Sequence, residues 1–209
     1  MALRIPPGRA GRQWLAGRIA TAEHARDLLE QKRTVLLAAE REAAGRAAEA
    51  TAAWQASAAT AALWLERSAL LDGERPLRIA RAHSGPAAVA HVDWQPTMGV
   101  PVPVHASVEL PPAPETALLA GGAALTEAIA AHRAALAAAL RAAVENAAHE
   151  RLAAELTATV RRVRAIESRW LPLHQQSLAA LEQALDENDR AEGARIRWAS
   201  RRQRSQAPR

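Results

Sequence analysis

Residues 15–36 read LAGRIATAEHARDLLEQKRTVL, and the placing of their apolar side chains decides the fold. Leu15, Ile19, Ala22, Leu29 and Leu36 recur at spacings of four, three and seven, which marks one face of an α-helix. Leu28 and Val35 run beside that stripe, and Trp54 and Leu65 continue it loosely. No proline occurs from Gly11 to Leu71. A helix over that span would be about 90 Å long at 1.5 Å per residue, far longer than the helices of ordinary globular domains.

A matching pattern returns from Ala123 to about Ser200, with Leu125, Ile129, His132, Leu136 and Leu140 on one stripe, then Leu156, Val163 and Trp170 seven apart. Past Pro172 the stripe moves to Leu171, Leu178 and Leu185, supported by Leu181. Between the two helical stretches lie eight of the twelve prolines: Pro76, Pro86, Pro96, Pro101, Pro103, Pro111, Pro112 and Pro114. Proline lacks an N–H and clashes with the preceding turn, so no long helix survives there. Val100, Val102 and Val104 alternate, and Val89 and Val92 precede the turn-like stretch Gln95-Pro96-Thr97-Met98-Gly99. That spacing predicts a short two-stranded ribbon whose prolines confine it to an edge. Such a ribbon is marginal alone and is expected to lean on the helices or on a partner.

Neither long stripe can face water along its whole length, so turning back to bury one against the other is the expected solution. The fold class is therefore all-α, a long antiparallel two-helix coiled coil of N- and C-terminal helices with a short Pro-rich middle segment that can form a β-ribbon. The plan along the chain is a basic arm at 1–11, a long helix at 12–71, the Pro-rich middle at 72–122, a second long helix at 123–200 and a basic tail at 201–209. Ala, Thr and polar residues interrupt the heptads, so local drift is expected rather than a strict supercoil. Parallel dimerisation through either helix is the alternative packing.

Composition supports rods over globules. Of 209 residues about a quarter are Ala, while Phe, Tyr and Cys are absent. Ala buries little surface, and burial is worth only about 25 cal/mol per Å², but it is the best helix former. The net charge of +5 is uneven: residues 1–20 carry +4, residues 190–209 carry +6, and the rest must carry −5. If the termini meet at one end of an antiparallel pair, that end is strongly basic. The first residues lack the apolar run of a signal peptide, and the longest charge-free run of the first helix, Ala50 to Leu65, is too short and too polar for a membrane span. The chain reads as soluble and cytoplasmic.

The catalytic motifs sought are not found. The one lysine, Lys32, sits in no glycine-rich phosphate loop, and no Gly-x-Ser-x-Gly elbow occurs. His24, His83, His91, His105, His132, His149 and His174 are scattered, with no pair at helical metal-ligand spacing and no thiol to join them. No catalytic, cofactor-binding or metal residue is assigned. The expectation is a protein that works through shape and partners.

Particular residues then carry a likeness. Arg18-Ile19-Ala20-Thr21-Ala22-Glu23 followed by Leu28-Leu29-Glu30-Gln31-Lys32-Arg33 resembles the N-terminal helix signature of the D-subunit family of V/A-type ATPases, where a Leu-Leu pair precedes a Lys-Arg pair. Arg161-Arg162-Val163-Arg164-Ala165-Ile166-Glu167, then Pro172 and the stretch Leu181 to Glu192, resembles its C-terminal signature. Met98-Gly99-Val100-Pro101-Val102-Pro103 is similar to its middle motif. The sequence departs from the family at Arg164, where Asn is common, and at Glu30, where a basic residue is frequent.

The resemblance implies a non-catalytic central rotor shaft, peripheral to the membrane and without direct insertion. It couples ATP synthesis or hydrolysis to ion translocation, and its paired termini sit in a ring of catalytic and regulatory A and B subunits. A small F subunit and a membrane-rotor connecting subunit are the other implied partners; no cofactor and no nucleic acid are. Partner-contact candidates are Lys32, Arg33, Arg161, Arg162, Arg195, Arg197, Arg201 and Arg202, and Pro172 is the candidate for bending the shaft. The basic end and pI of about 11.1 motivate the competing reading, a basic coiled-coil nucleic-acid-binding or scaffold protein.

Overall fold

The computed structural model describes residues 4–82, 86–112 and 121–206, with side chains for all of these except 203–206. Residues 1–3 of the basic arm, 83–85 (including His83) and 113–120 (including Pro114) of the middle segment, and 207–209 of the tail lie outside the described residues. In chain order the elements are α1 (Gly8–Asp72), α2 (Glu74–Ala82), β1 (Val89–Thr97), β2 (Val100–Glu109), α3 (Ala123–Ala165), one π-helical turn (Ile166–Trp170) and α4 (Leu171–Gln206). The protein is mostly helical, with long N- and C-terminal helices packed together and a small antiparallel ribbon in the middle, as the patterning predicts. It divides into two compact units, residues 34–157 and residues 1–33 with 158–209. We call them the ribbon unit and the terminal unit.

In the ribbon unit three polar pairs fix how α1 and α3 run. His149 Nε2 lies 3.0 Å from Glu40 Oε1, Arg46 Nε donates to Glu145 Oε2 at 3.0 Å, and Asn146 Nδ2 donates to Thr51 Oγ1 at 3.0 Å. Glu40 meets His149, whereas Arg46 and Thr51, farther along α1, meet the lower-numbered Glu145 and Asn146 on α3, so the pair is antiparallel. Its buried residues are largely alanines: Ala43, Ala47, Ala50 and Ala61 on α1, and Ala128, Ala135, Ala142 and Ala148 on α3. Small side chains let two backbones approach, and dispersion contacts accumulate along the length.

The ribbon closes on this pair. Val102 is 4% exposed and joins Leu36, Ala43, Ala148 and Leu152 in one cluster, with Val100 and Leu156 packed beside it. The strands turn at Met98 and Gly99, whose φ values of 50° and 81° are both positive, the geometry whose twist matches a hairpin. Asp93 faces His105 while Trp94 faces Pro103, so Val104 is the extra residue of a bulge. With two strands both edges are free, and Pro101 and Pro103 are tolerated. Arg151 of α3 lies 4.7 Å over the Trp94 ring and donates to the Pro101 carbonyl at 3.5 Å.

Two local features of the middle segment escape periodicity. Gly73, at φ 73°, ends α1 and lets α2 start at Glu74, with Pro76 in the first turn where a missing N–H is harmless. A Cβ on Gly122 would strike the Asp72 carboxylate, so that anion sits against the start of α3, where a helix dipole favours it. The stretch Ala123–Arg202 contains an 18-residue window of mean hydropathy 1.2, enough by length and composition alone to cross a membrane. Of that window 17% is buried, and Ala124, Leu125, Ala128, Ala135 and Ala142 are buried within the ribbon unit.

The terminal unit has a bulkier interior. Leu15 and Ile19 of α1 are buried, as are Thr159 and Val163 of α3 and Leu171 and His174 of α4. Arg9 donates to Asp189 at 3.3 Å, and Arg18 lies 5.6 Å from the Trp170 ring, so here too the helices run antiparallel. Since α1 begins at Gly8, level with Asp189, α4 continues past it without another described helix of the terminal unit alongside. Through residues 190–202 its side chains are exposed except at Gly193 and Ser200.

Candidate functional site

All the partner-contact candidates fall in the terminal unit, together with Pro172. Lys32 and Arg33 are half-buried on α1, and Arg33 donates to Glu30 at 2.7 Å. Arg161 and Arg162 are exposed on α3, close to level with them in the antiparallel register. Arg195, Arg197, Arg201 and Arg202 are exposed on the unaccompanied end of α4. Arg195 lies 3.6 Å from Glu192, and Arg202 lies 5.3 Å over the ring of Trp198. Ile196 and Trp198, 58% and 64% exposed, are interleaved with these arginines. The candidates thus fall at two levels of the terminal unit, mid-helix on α1 and α3 and near the end of α4, where two large apolar side chains lie among them.

Between them lies a third constellation that spacing did not single out. Trp170 stacks on His174 with ring centroids 3.6 Å apart and planes 17° from parallel. Arg18 reaches both aromatic residues on its side, at 4.8 Å from the Trp14 ring and 5.6 Å from Trp170. A guanidinium so placed gains cation–π attraction from both rings. His174 is 3% exposed, and its Nδ1 lies 2.8 Å from the Trp170 carbonyl. A carbonyl only accepts, so Nδ1 carries the proton, and Nε2 is buried with no hydrogen-bond partner among the described residues. Gln13, Gly17, Thr21, Ala22 and Ile166 complete an open, mainly apolar groove around the two tryptophans.

The same unit carries one perturbed cation. Asp27, hydrogen-bonded to Arg26 at 2.7 and 3.0 Å, raises the Arg26 pKa above its ordinary value, with smaller help from Glu167 and Glu23. Arg26 and Glu167 are on different helices, so this is a weak electrostatic tie across the pair and not a proton-transfer site. Among the described residues no group of three or more histidines and carboxylates could hold a metal ion.

The missed constellation had one sequence signal. The stripe Leu156, Val163, Trp170 becomes Leu171, Leu178, Leu185, a slip of one position, and the structure puts the π turn Ile166–Trp170 at that slip. The Arg18 stack itself had no such signal, because contacts between residues so far apart in sequence follow only once the helix pair is formed.

Comparison with known proteins bears on the whole of this arrangement. A family model described as the D subunit of ATP synthase matches residues 13–201, which takes in α1 from Gln13, the ribbon and the C-terminal helices through most of the basic end. A relative named as the D subunit of a V-type ATP synthase, from Anaeromyxobacter sp. (strain Fw109-5), is 33% identical over 217 aligned positions, covering 98% of this chain and 97% of its own length. A match that runs through both long helices and the hairpin between them means that this chain belongs to the ATP synthase D-subunit family.

Proposed function

We propose that the protein is the non-catalytic central rotor shaft of a V/A-type ATP synthase, passing torque between the nucleotide-processing ring and the ion-translocating membrane rotor. The observation that carries this reading is the family match along 13–201, spanning both antiparallel units rather than one motif. A shaft must resist unwinding, and a closely packed helix pair with a short-side-chain seam suits that demand. It must also be asymmetric, because only differential contacts shift the conformations of surrounding sites. The terminal unit offers two sources of asymmetry: Pro172 beside the π turn, proposed to bend the shaft, and the unaccompanied basic end of α4.

In this reading the terminal unit sits within the ring of A and B subunits. Arg195, Arg197, Arg201 and Arg202 then face ring surfaces through diffuse charge, since a bidentate lock would hold one angular position and stall turning. Lys32, Arg33, Arg161 and Arg162 form a second contact belt. The F subunit and a membrane-rotor connecting subunit complete the partners, and the chain stays peripheral to the membrane, without insertion. The test is reconstitution of the complex in vesicles with the full chain or with residues 195–209 removed. ATP-driven ion pumping should require the chain and fall with the truncation relative to ATP hydrolysis; pumping that is equally strong without the chain contradicts the proposal.

A further inference from the structure

The π turn and Pro172 lie next to each other, and each answers a problem the other creates. A π turn holds one residue more than the α-helical path needs, so side chains beyond it change phase by one position. Here the buried or half-buried series Leu152, Leu156, Thr159, Val163 and Ile166 would continue in an unbroken helix through positions 170, 173 and 177. The structure leaves Trp170 and Ser177 half-buried, but it fully buries Leu171 and His174, half-buries Leu178 and leaves Leu173 50% exposed. The insertion therefore restores the docked face after a one-residue slip in the sequence, and Arg18 lies 5.6 Å from the Trp170 ring at the step.

A proline at position 172 of an unbroken α-helix would leave the carbonyl of residue 168 without a donor and push its ring against it. In the structure Leu171 N–H bonds to the Ile166 carbonyl, five residues back. Pro172 follows, at the place where the ladder returns from five-residue to four-residue steps and a missing N–H does least harm. Ser168 Oγ donates to the Arg164 carbonyl at 2.6 Å, and the His174 ring donates to the Trp170 carbonyl, so side chains serve backbone acceptors on both sides of the step.

We propose that Ile166–Trp170 and Pro172 form one conformational device, a one-residue register step pinned by the proline at this point of the C-terminal helix. The proline disfavours the regular helix that would absorb the step, and the step provides the wide turn that the proline needs. This goes beyond the shaft reading and does not depend on it, since it concerns the chain alone.

The test is a two-by-two cycle on the full chain, with deletion of Arg169, which is exposed, in the native background and in a Pro172→Ala background. Deletion removes the extra residue and brings Leu156, Val163, Leu171 and Leu178 into one continuous seven-residue series. In the native background it forces the proline into a regular helix, and the thermal midpoint should fall by several degrees. In the Pro172→Ala background nothing opposes the regular helix, and the same deletion should raise the midpoint. Opposite signs support the device; an effect of the same sign in both backgrounds, including failure to fold in both, overturns it. Because no partner is needed, either result leaves the rotor proposal to its own test.

Discussion

The ribbon unit and the terminal unit both hold part of α1 against part of the C-terminal helical stretch, yet they do so with different side chains. Alanines line the first, and one alanine packs on another almost as well as on its neighbour, so apolar contacts set the relative register weakly. Glu40 with His149, Arg46 with Glu145, and Asn146 with Thr51 supply the missing specificity. A polar residue at a coiled-coil seam commonly fixes register at some cost in stability. In the terminal unit the buried side chains include Leu15, Ile19, Val163 and Leu171, which differ in size and shape, and the polar residues near the seam surround a local irregularity instead. Uniform seams need polar pins; varied seams can carry an inserted residue.

The contrast can be broken most sharply where the interior is bulkiest. Leu15 is fully buried, and Leu15→Ala should cost about 2–5 kcal/mol in denaturant unfolding, the usual range for a leucine removed from a packed interior. A loss well under that range would mean the terminal unit is loosely packed. On the alanine side the informative change runs the other way. Ala148, 1% exposed beside Leu36 and Val102, should not accept a larger group, and Ala148→Leu should destabilise by about 1–3 kcal/mol through overpacking. A gain in stability would refute the idea that alanine is there for close approach.

Smaller effects sharpen the picture. Asn146→Ala removes the donor to Thr51 and to the Ala142 carbonyl, and should cost about 0.5–1.5 kcal/mol, typical of a lost hydrogen bond. If the pair is a register pin, disulfide trapping between cysteines introduced across α1 and α3 should also become less selective for the native register. The smallest effect is expected at the basic end, where Arg195 meets Glu192 in an exposed pair. Arg195→Ala should change stability by less than about 0.5 kcal/mol, so a change in coupling in the assembled enzyme would be a contact effect.

The helix pair and the ribbon were legible because each is set by local periodicity: the stripe from Leu15 to Leu36, the prolines that end it, and the alternation of Val100, Val102 and Val104. That the ribbon leans on something followed from its marginal stability, but the choice of the helices over a partner, and of Leu36 and Leu152 as the receiving residues, came only from the structure. The jump from Trp170 to Leu171 was visible as a shifted seam, but a kink, a helix end and a π turn all shift a seam, and only backbone geometry separates them. Trp14, Arg18, Trp170 and His174 were not legible as a group, because their meeting depends on the antiparallel register, which an alanine-rich seam leaves poorly specified in sequence. The charge at the end of α4 was readable as a count; that the overlap with α1 stops near Asp189, so that those arginines lie beyond the described helix pair, was not.

The central claim is that this chain turns inside a ring of stationary subunits, and its lack of cysteine makes a direct test simple. Arg195→Cys would give the chain a single thiol, to be paired with one cysteine placed on the facing surface of a ring subunit in the assembled complex. Oxidation to the crosslinked form should abolish ATP hydrolysis, and reduction should restore it. Hydrolysis at the full rate while the chain is covalently fixed to the ring would contradict the account.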